Sequence, residues 1–371
     1  TTSEKNNRRA LSKVMKFSVA TATYGNKLWE KAIPFESWGG GVSKDGSVVA
    51  YMINQTGFEA NLQNDPNVDW VGVLDGATGA KLYGLRGNQS LMSGLEVSVS
   101  NKIIIKGIQK TENPNYIFVT IDTKNIPAQD LIFTFKNGKK SFTRNYSIKA
   151  RKENSKFKKS YDSSDVIYLI MSDRFANGNP NNDSSAETTE KANRNLPGGR
   201  HGGDIEGIIN HLDYIKELGA TAVWCTPLCE DNDESYSYHG YGQSDVYKID
   251  PRYGTNKDYL RLSEELHKKG MKNIMDYVTN HWGWQHWMYK DLPTKDWVHQ
   301  FPEFTQSNYR MTSQFDINAS KIDAKKCMDG WFVKSMPDLN QSNPLVLNYL
   351  IQNAIWWIEY ADLDGFRVDT Y

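Results

Sequence analysis

From residue 166 onward, continuous apolar runs alternate with stretches of helical period, and this alternation limits the fold more than any other feature of the chain. Residues 166–171 form an unbroken run, Val-Ile-Tyr-Leu-Ile-Met, as expected of a strand covered on both faces. Residues 205–218 put Ile208, Leu212 and Ile215 on one helical face, with Gly219 as the stop. The pattern predicts a strand over 221–226, a helix over 257–269 ending at Gly270, and a third strand over 272–276. After a long polar and aromatic stretch, Asn343-Pro344 supplies the cap and first-turn proline of a helix to about residue 360, and 364–369 is a fourth strand. This is the first half of a (β/α)8 TIM barrel, interrupted by an insert. A doubly wound sheet has the same alternation, but no G-x-G-x-x-G follows the first strand.

With 371 residues the chain exceeds one small core. Before residue 160 short alternating segments dominate, at 47–53, 70–74, 102–108, 117–121, 131–135 and 141–148. Asp45-Gly46, Asp75-Gly76 and Asn137-Gly138 punctuate them as hairpin turns would. That pattern predicts an N-terminal β-sandwich. The stretch before Phe35 shows no assignable period, and 151–165, charged and then serine-rich, suits a linker. The expected division is 1–160 for sandwich and linker and 161–371 for the half-barrel, with an inserted subdomain at 277–337.

Lys+Arg and Asp+Glu both number 44, so the net charge is zero, which argues against nucleic acid or an anionic membrane as the main partner. No apolar run approaches the roughly 18 residues of a membrane helix, and no signal peptide is visible. Cys225, Cys229 and Cys327 are too few and wrongly spaced for a disulfide framework or a zinc site, so buried thiols are expected. Aromatic residues make up 12%, which suits stacking on sugar faces, although most aromatics are core in any protein.

The residues at the fourth strand carry the chemistry. Gly365-Phe366-Arg367-Val368-Asp369-Thr370-Tyr371 puts Arg367 and Asp369 on one strand face, with Phe366 and Val368 on the other. A guanidinium beside a carboxylate favours a charged nucleophile, and its planar fork cannot be reproduced by an ammonium; a structural Arg–Asp pair fits the heptad equally well. Upstream stand Tyr238-His239-Gly240-Tyr241, Asp276-Tyr277-Val278-Thr279-Asn280-His281 and Met336-Pro337-Asp338-Leu339-Asn340, each at or beyond the carboxyl end of an expected strand or inside the insert.

In this order the four motifs resemble the α-amylase superfamily, glycoside hydrolase family 13, and within it the neopullulanase and cyclomaltodextrinase branch. The resemblance implies that Asp369 is the nucleophile of a retaining glycosidase and that Arg367 supports its charge. Asp276 is then the acidic partner of that arginine, and His239, Tyr241 and His281 bind the sugar at the cleavage point. An oxocarbenium-like transition state needs such a carboxylate, an aromatic face and hydroxyl donors. Asn280 lies near a bound cation in some members and is only structural in others. Asp338 stands where the neopullulanase motif has lysine and is similar to oligo-1,6-glucosidase relatives. Residues 161–183 and 291–296 look like periplasmic neopullulanases of bacterial starch-utilisation systems. Trp282, Trp284, His286 and Trp287 fall in the insert and are expected to be mostly its core, with one exposed.

The stretch Asp173–Asp183 and Gly202-Gly203-Asp204 clusters hard oxygen donors. By composition it is an Asn/Gly/Pro turn cluster. The branch carries a calcium site whose ligands map here to Asn177, Asn179, Asn182, Asp183, Gly202 and Asp204, which implies a structural calcium ion. The acid/base glutamate of the superfamily ends its fifth strand, and a His-Asp pair follows its seventh. No residue here matches either, so the resemblance implies part of a longer enzyme, and these 371 residues alone are expected to be inactive. The implied activity is hydrolysis of α-1,4-glucans such as maltooligosaccharides, cyclodextrins or pullulan. A glucanotransferase or a non-catalytic glucan-binding relative are the alternatives. The implied location is the periplasm, with the cytoplasm as alternative, and the N-terminal domain of such enzymes can form a homodimer contact.

Overall fold

The computed structural model describes residues 94–101, 103–151 and 159–370, together with the backbone of six strands between residues 12 and 85. The chain forms two compact units, Thr1–Lys149 and Ala150–Tyr371. The division therefore falls earlier than the expected boundary at 160. The described part of the expected linker belongs to the second unit because it is bonded there. Arg151 pairs with Glu359 at 2.6 Å, the Ser160 hydroxyl donates to the Asp364 carbonyl, and the Tyr161 hydroxyl donates to the Phe366 carbonyl at 2.7 Å.

Every described strand pair of the first unit is antiparallel. Strands β1 (Ser12–Phe17) and β2 (Lys27–Ile33) pair with each other, in the stretch whose sequence shows no period. Strands β3 (Ser37–Val42), β4 (Val48–Ile53), β5 (Val71–Asp75) and β6 (Lys81–Leu85) form one sheet in chain order. Gly46 and Gly76, expected at turns, lie outside the described residues. Strands β7 (Glu96–Val99), β8 (Ile104–Lys110), β9 (Ile117–Asp122), β10 (Gln129–Asn137) and β11 (Lys140–Ile148) make the sheets β11-β10-β7 and β8-β9. Period two on β10 buries Leu131 and Phe133 while exposing Ile132. With Ile103 they form a core against which Val97, Val99, Val119 and Ile121 pack, so the two sheets share one apolar layer. The β10–β11 hairpin closes between Asn137 and Lys140.

In the second unit, β12 (Ile167–Ile170) and β13 (Ala222–Cys225) pair in parallel. A hairpin not anticipated from sequence, β14 (Cys229–Asp231) with β15 (Gln243–Ile249), follows β13. Strands β16 (Lys272–Val278) and β17 (Gly365–Asp369) complete a parallel sheet of order β12-β13-β16-β17. One face of it, through Ile170, Val223, Cys225 and Met275, joins the helices in a single core with Ile208, Leu212, Leu262, Leu266 and Trp357. Leu262 and Leu266, both fully buried, each contribute roughly 1.5–3 kcal/mol. The opposite face carries the charged residues of the next section.

Local signals account for most helix boundaries. The helix Asn256–Lys268 begins at a capping box of Thr255 and Asp258 and ends before Gly270 at φ +68°. Pro344–Ala361 is capped by the Asn343 side chain with proline in its first turn. The expected helix over 205–218 is two, Ile205–Asn210 and Leu212–Glu217. It breaks at His211, whose ring bonds the Gly207 carbonyl at 2.7 Å and whose backbone leaves the helical region. The described parallel sheet has four strands and does not close on itself.

The insert after β16 holds two short helices, Thr312–Phe315 and Lys321–Asp329. Trp282 and His286 are fully buried and stacked 3.7 Å apart. Trp284 and Trp287 are 43% and 49% exposed, so the tryptophan group is half core and half surface, not core with one exception. Cys225 and Cys229 are buried free thiols, and burial pushes the Cys225 thiol up to about 12.

Candidate active site

The parallel register sets the site. Asp276 of β16 lies beside Arg367 of β17, and Val278 beside Asp369. Two residues back, Trp224 of β13 lies beside Ile274. Because side chains alternate, Trp224, Asp276, Arg367 and Asp369 share one face. A single guanidinium nitrogen, Arg367 Nη1, joins the group. It donates to Asp369 Oδ1 at 2.6 Å, to Asp276 Oδ1 and Oδ2 at 3.2 and 3.1 Å, and to the Tyr241 hydroxyl at 3.3 Å. The expected planar fork is therefore not used as a fork. Instead the guanidinium lies over the Trp224 ring, 4.8 Å from its centre. The other oxygen of Asp369 accepts from Thr370 Oγ1 at 2.9 Å.

Asp276 is 1% exposed and accepts at Oδ2 from Trp224 Nε1 at 2.9 Å and from the Tyr241 hydroxyl at 3.0 Å. Burial raises its pKa, and Trp224, Arg367 and Tyr241 each oppose that rise. Burial is also the main cause that raises the Tyr241 phenol, with the Asp276 charge adding to it, so the hydroxyl keeps its proton.

His239 and Tyr241 arrive on the turn that leads into β15. The Tyr241 backbone N–H donates to His239 Nδ1 at 2.9 Å, which leaves the imidazole proton on Nε2. Burial lowers the His239 pKa, so the ring is a neutral donor. His281, beyond the end of β16, is 1% exposed, and burial takes it down to about 4. It stacks on Phe332 at 5.6 Å, and its Nε2 is buried without a partner. Above about pH 4 it is neutral and able to bond a hydroxyl.

A buried ionic cluster holds this turn, and sequence reading missed it. Glu190 accepts from the Ser237 amide and hydroxyl at 2.8 and 2.7 Å, Arg200 Nη1 donates to the Ser237 carbonyl at 3.1 Å, and Asp231 accepts from the Gly242 amide at 3.0 Å. Behind it Arg252 donates to the Glu190 carbonyl at 2.8 Å and pairs with Asp250 at 2.6 Å. Gly240 has φ +78°, and a Cβ there would sit 2.0 Å from the Pro227 carbonyl oxygen. Gly240→Ala is expected to cost about 1–3 kcal/mol of stability and to displace His239 and Tyr241. Thermal denaturation checks the loss.

The six oxygen-rich residues come together in the loop after β12. Asn177 Nδ2 donates to Asp183 Oδ1 at 2.7 Å, and a Cβ on Gly202 would lie 2.6 Å from the Asp183 carboxylate. Asp204 caps the helix Ile205–Asn210 through Gly207 at 2.7 Å and accepts the amides of Gly178 and Asn179 at 3.0 and 2.9 Å. The Asn179 side chain accepts from Asn181. Asn177 Oδ1 and Asn182 Oδ1 are buried with no partner. A polar cleft of about 460 Å³ opens beside Asn179 and Asn182, toward Glu206, Asp258 and Arg261; no residue of the Arg367 cluster lines it.

Asn280 and Asp338 meet at the base of the insert. The Leu339 amide donates to the Asn280 carbonyl at 2.8 Å, and Asp338, 2% exposed, is bonded to His299 Nδ1 at 2.7 Å. Burial pushes Asp338 up to about 6, against the lowering effect of His299.

At the ends of these parallel strands an arginine, two carboxylates and a tyrosine converge, the place where barrel enzymes carry their sites. The family model described as Alpha amylase, catalytic domain, matches residues 169–371, and that described as Cyclomaltodextrinase, N-terminal, matches residues 85–152. The chain belongs to the α-amylase superfamily, glycoside hydrolase family 13, in its neopullulanase and cyclomaltodextrinase branch. It is 33% identical over 214 residues to a cyclomaltodextrinase of Geobacillus thermopakistaniensis, covering 55% of this chain and 33% of that protein. It is 35% identical over 217 residues to neopullulanase 2 of Thermoactinomyces vulgaris, with coverage of 55% and 33%. A β/α-amylase of Paenibacillus polymyxa is 34% identical over 208 residues, 55% of this chain and 16% of that protein. The chain thus matches a third or less of the length of these relatives.

Proposed function

We propose that the protein is a retaining glycoside hydrolase that cleaves α-1,4-glucosidic bonds in starch-derived glucans on a (β/α)8 barrel whose first four strands are β12, β13, β16 and β17. The observation that carries this reading is the Arg367 bridge between Asp276 and Asp369 at adjacent strand ends. Asp369 attacks the anomeric carbon as the glycosidic C–O bond breaks, and the leaving oxygen takes a proton from a general acid. In this reading a glutamate on a further strand is that acid, and water then releases the sugar from Asp369. Tyr241 stacks under the ring, while His239 Nε2–H and His281 bond its hydroxyls.

The test is the full-length enzyme on maltoheptaose, β-cyclodextrin and pullulan, followed by proton NMR. Release of products first in the α configuration is expected; β products or no release would overturn the reading. Longer oligosaccharides formed from maltoheptaose would favour the transferase instead.

The loop at Asn177, Asn179, Asn182, Asp183, Gly202 and Asp204 fits calcium. Its donors are all oxygen, and two buried amide oxygens have no other partner. The ion would pin the loop after β12 to the segment before Ile205–Asn210. Excess chelator is then expected to lower Tm, with calcium restoring it, since saturation at 100 times Kd is worth about 2.7 kcal/mol. Activity well below Tm should change little, and an unmoved Tm would return the loop to a turn cluster.

We propose a periplasmic location on the likeness of residues 161–183 and 291–296, with the cytoplasm as the alternative, and we likewise propose the homodimer contact that the resemblance implies for the N-terminal domain. Relatives include an intracellular maltogenic amylase of Bacillus subtilis, which favours the cytoplasm instead. Among the described residues no helix is long and apolar enough to cross a membrane. Cell fractionation and sedimentation decide location and assembly.

A further inference from the structure

We infer that Trp224 is a positioning residue that sets the Asp276–Arg367–Asp369 chain with two different parts of one side chain. Its indole N–H holds Asp276 at 2.9 Å, and its ring face carries the guanidinium at 4.8 Å. Asp276 and Arg367 are thereby oriented by a group on a third strand, β13, which itself carries no charge. Without it, Asp276 keeps Arg367 and Tyr241, and Arg367 keeps Asp276, Asp369 and Tyr241 but loses the surface that fixes its plane. The indole plane also explains the need for a flat cation: Nη1 alone makes the four bonds described above, while the rest of the guanidinium is placed by stacking. Trp224 bonds Asp276 and stacks on Arg367, so its effect on Asp369 is transmitted through those two residues.

The inference rests on the proposed glycosidase reading, and its test separates the two. The charged and titratable groups facing Asp276 are Arg367 and Asp369 on β17 and Tyr241 on the turn before β15. Cys225 on β13 and Tyr259 on the helix Asn256–Lys268 lie behind the sheet, and burial holds both neutral. A donor to the ionised carboxylate lowers its pKa, so removing the indole N–H raises it.

Trp224→Phe in the full-length enzyme keeps a ring and removes the donor. It is expected to lower kcat about 10- to 100-fold with KM within about threefold, and to move the acid limb of kcat/KM to higher pH. Trp224→Leu removes the plane as well, and Arg367→Lys should then cost far less than in the parent. In the ¹⁵N-tryptophan-labelled parent, the indole resonance that disappears in Trp224→Phe or Trp224→Tyr should shift in Asp276→Asn. A parent inactive on glucans sinks the glycosidase reading, yet the indole shift still decides the contact. An unmoved indole resonance, an unchanged acid limb, or strictly additive Trp224 and Arg367 effects would overturn the inference.

Discussion

Asp369→Asn in the full-length enzyme is expected to lower kcat on maltooligosaccharides by on the order of 10⁴ to 10⁶, with KM changed only a few fold. The amide keeps the shape and can still meet Arg367 Nη1 through its oxygen. It lacks the charge that forms the bond to the anomeric carbon. One Asp369 oxygen accepts from Arg367 at 2.6 Å and the other from Thr370 at 2.9 Å; asparagine keeps the first contact through its oxygen, and the Thr370 hydroxyl turns to accept from its amide. Circular dichroism and Tm should stay near the parent values. Near-parent turnover would remove Asp369 from the nucleophile role.

Arg367→Lys should be the second largest loss, about 10² to 10³ in kcat/KM. The first expectation, that an ammonium lacks the fork, gives the wrong reason, because one nitrogen makes every bond to Asp276, Asp369 and Tyr241. An ammonium could supply one such nitrogen. It cannot lie flat on Trp224, and it carries a tightly held water shell into a site where Asp276 is 1% exposed. The ammonium therefore wanders, and Asp369 wanders with it. Steady-state kinetics checks the loss, and a Lys variant within threefold of the parent would show that the plane is unimportant.

The carboxyl-terminal half of the chain was legible because its strands are covered and its helices amphipathic. Val223, Cys225 and Met275 pack behind the sheet while Ile208, Leu212 and Ile215 face them, which yields two clean periods. Arg367 and Asp369 were legible by strand parity, and Asp276 was joined to them only by the family resemblance. Trp224 was not legible, because an indole in an apolar strand reads as core, and its partner Asp276 is 52 residues away. The Glu190–Ser237 and Arg252–Glu190 bonds span 47 and 62 residues, so nothing local marks those charges as buried. Trp282 and Trp284 differ by two positions, yet one is buried and one exposed. Around them the insert consists of turns and isolated bridges, where no period distinguishes inside from outside. Strands β1 and β2 escaped for a related reason: residues such as Lys13, Lys16, Lys27 and Glu30 break the apolar alternation.

The measurement that bears most directly on the account is identification of the carboxylate that becomes glycosylated. The full-length enzyme, incubated with 5-fluoro-α-glucosyl fluoride and digested, should yield one peptide heavier by a fluoroglucosyl group, with the bond on Asp369. Asp369→Asn should yield none. A label on Asp276, on Asp338 or on any other carboxylate of an active enzyme would contradict the assignment of Arg367 and Asp369 as the reacting pair.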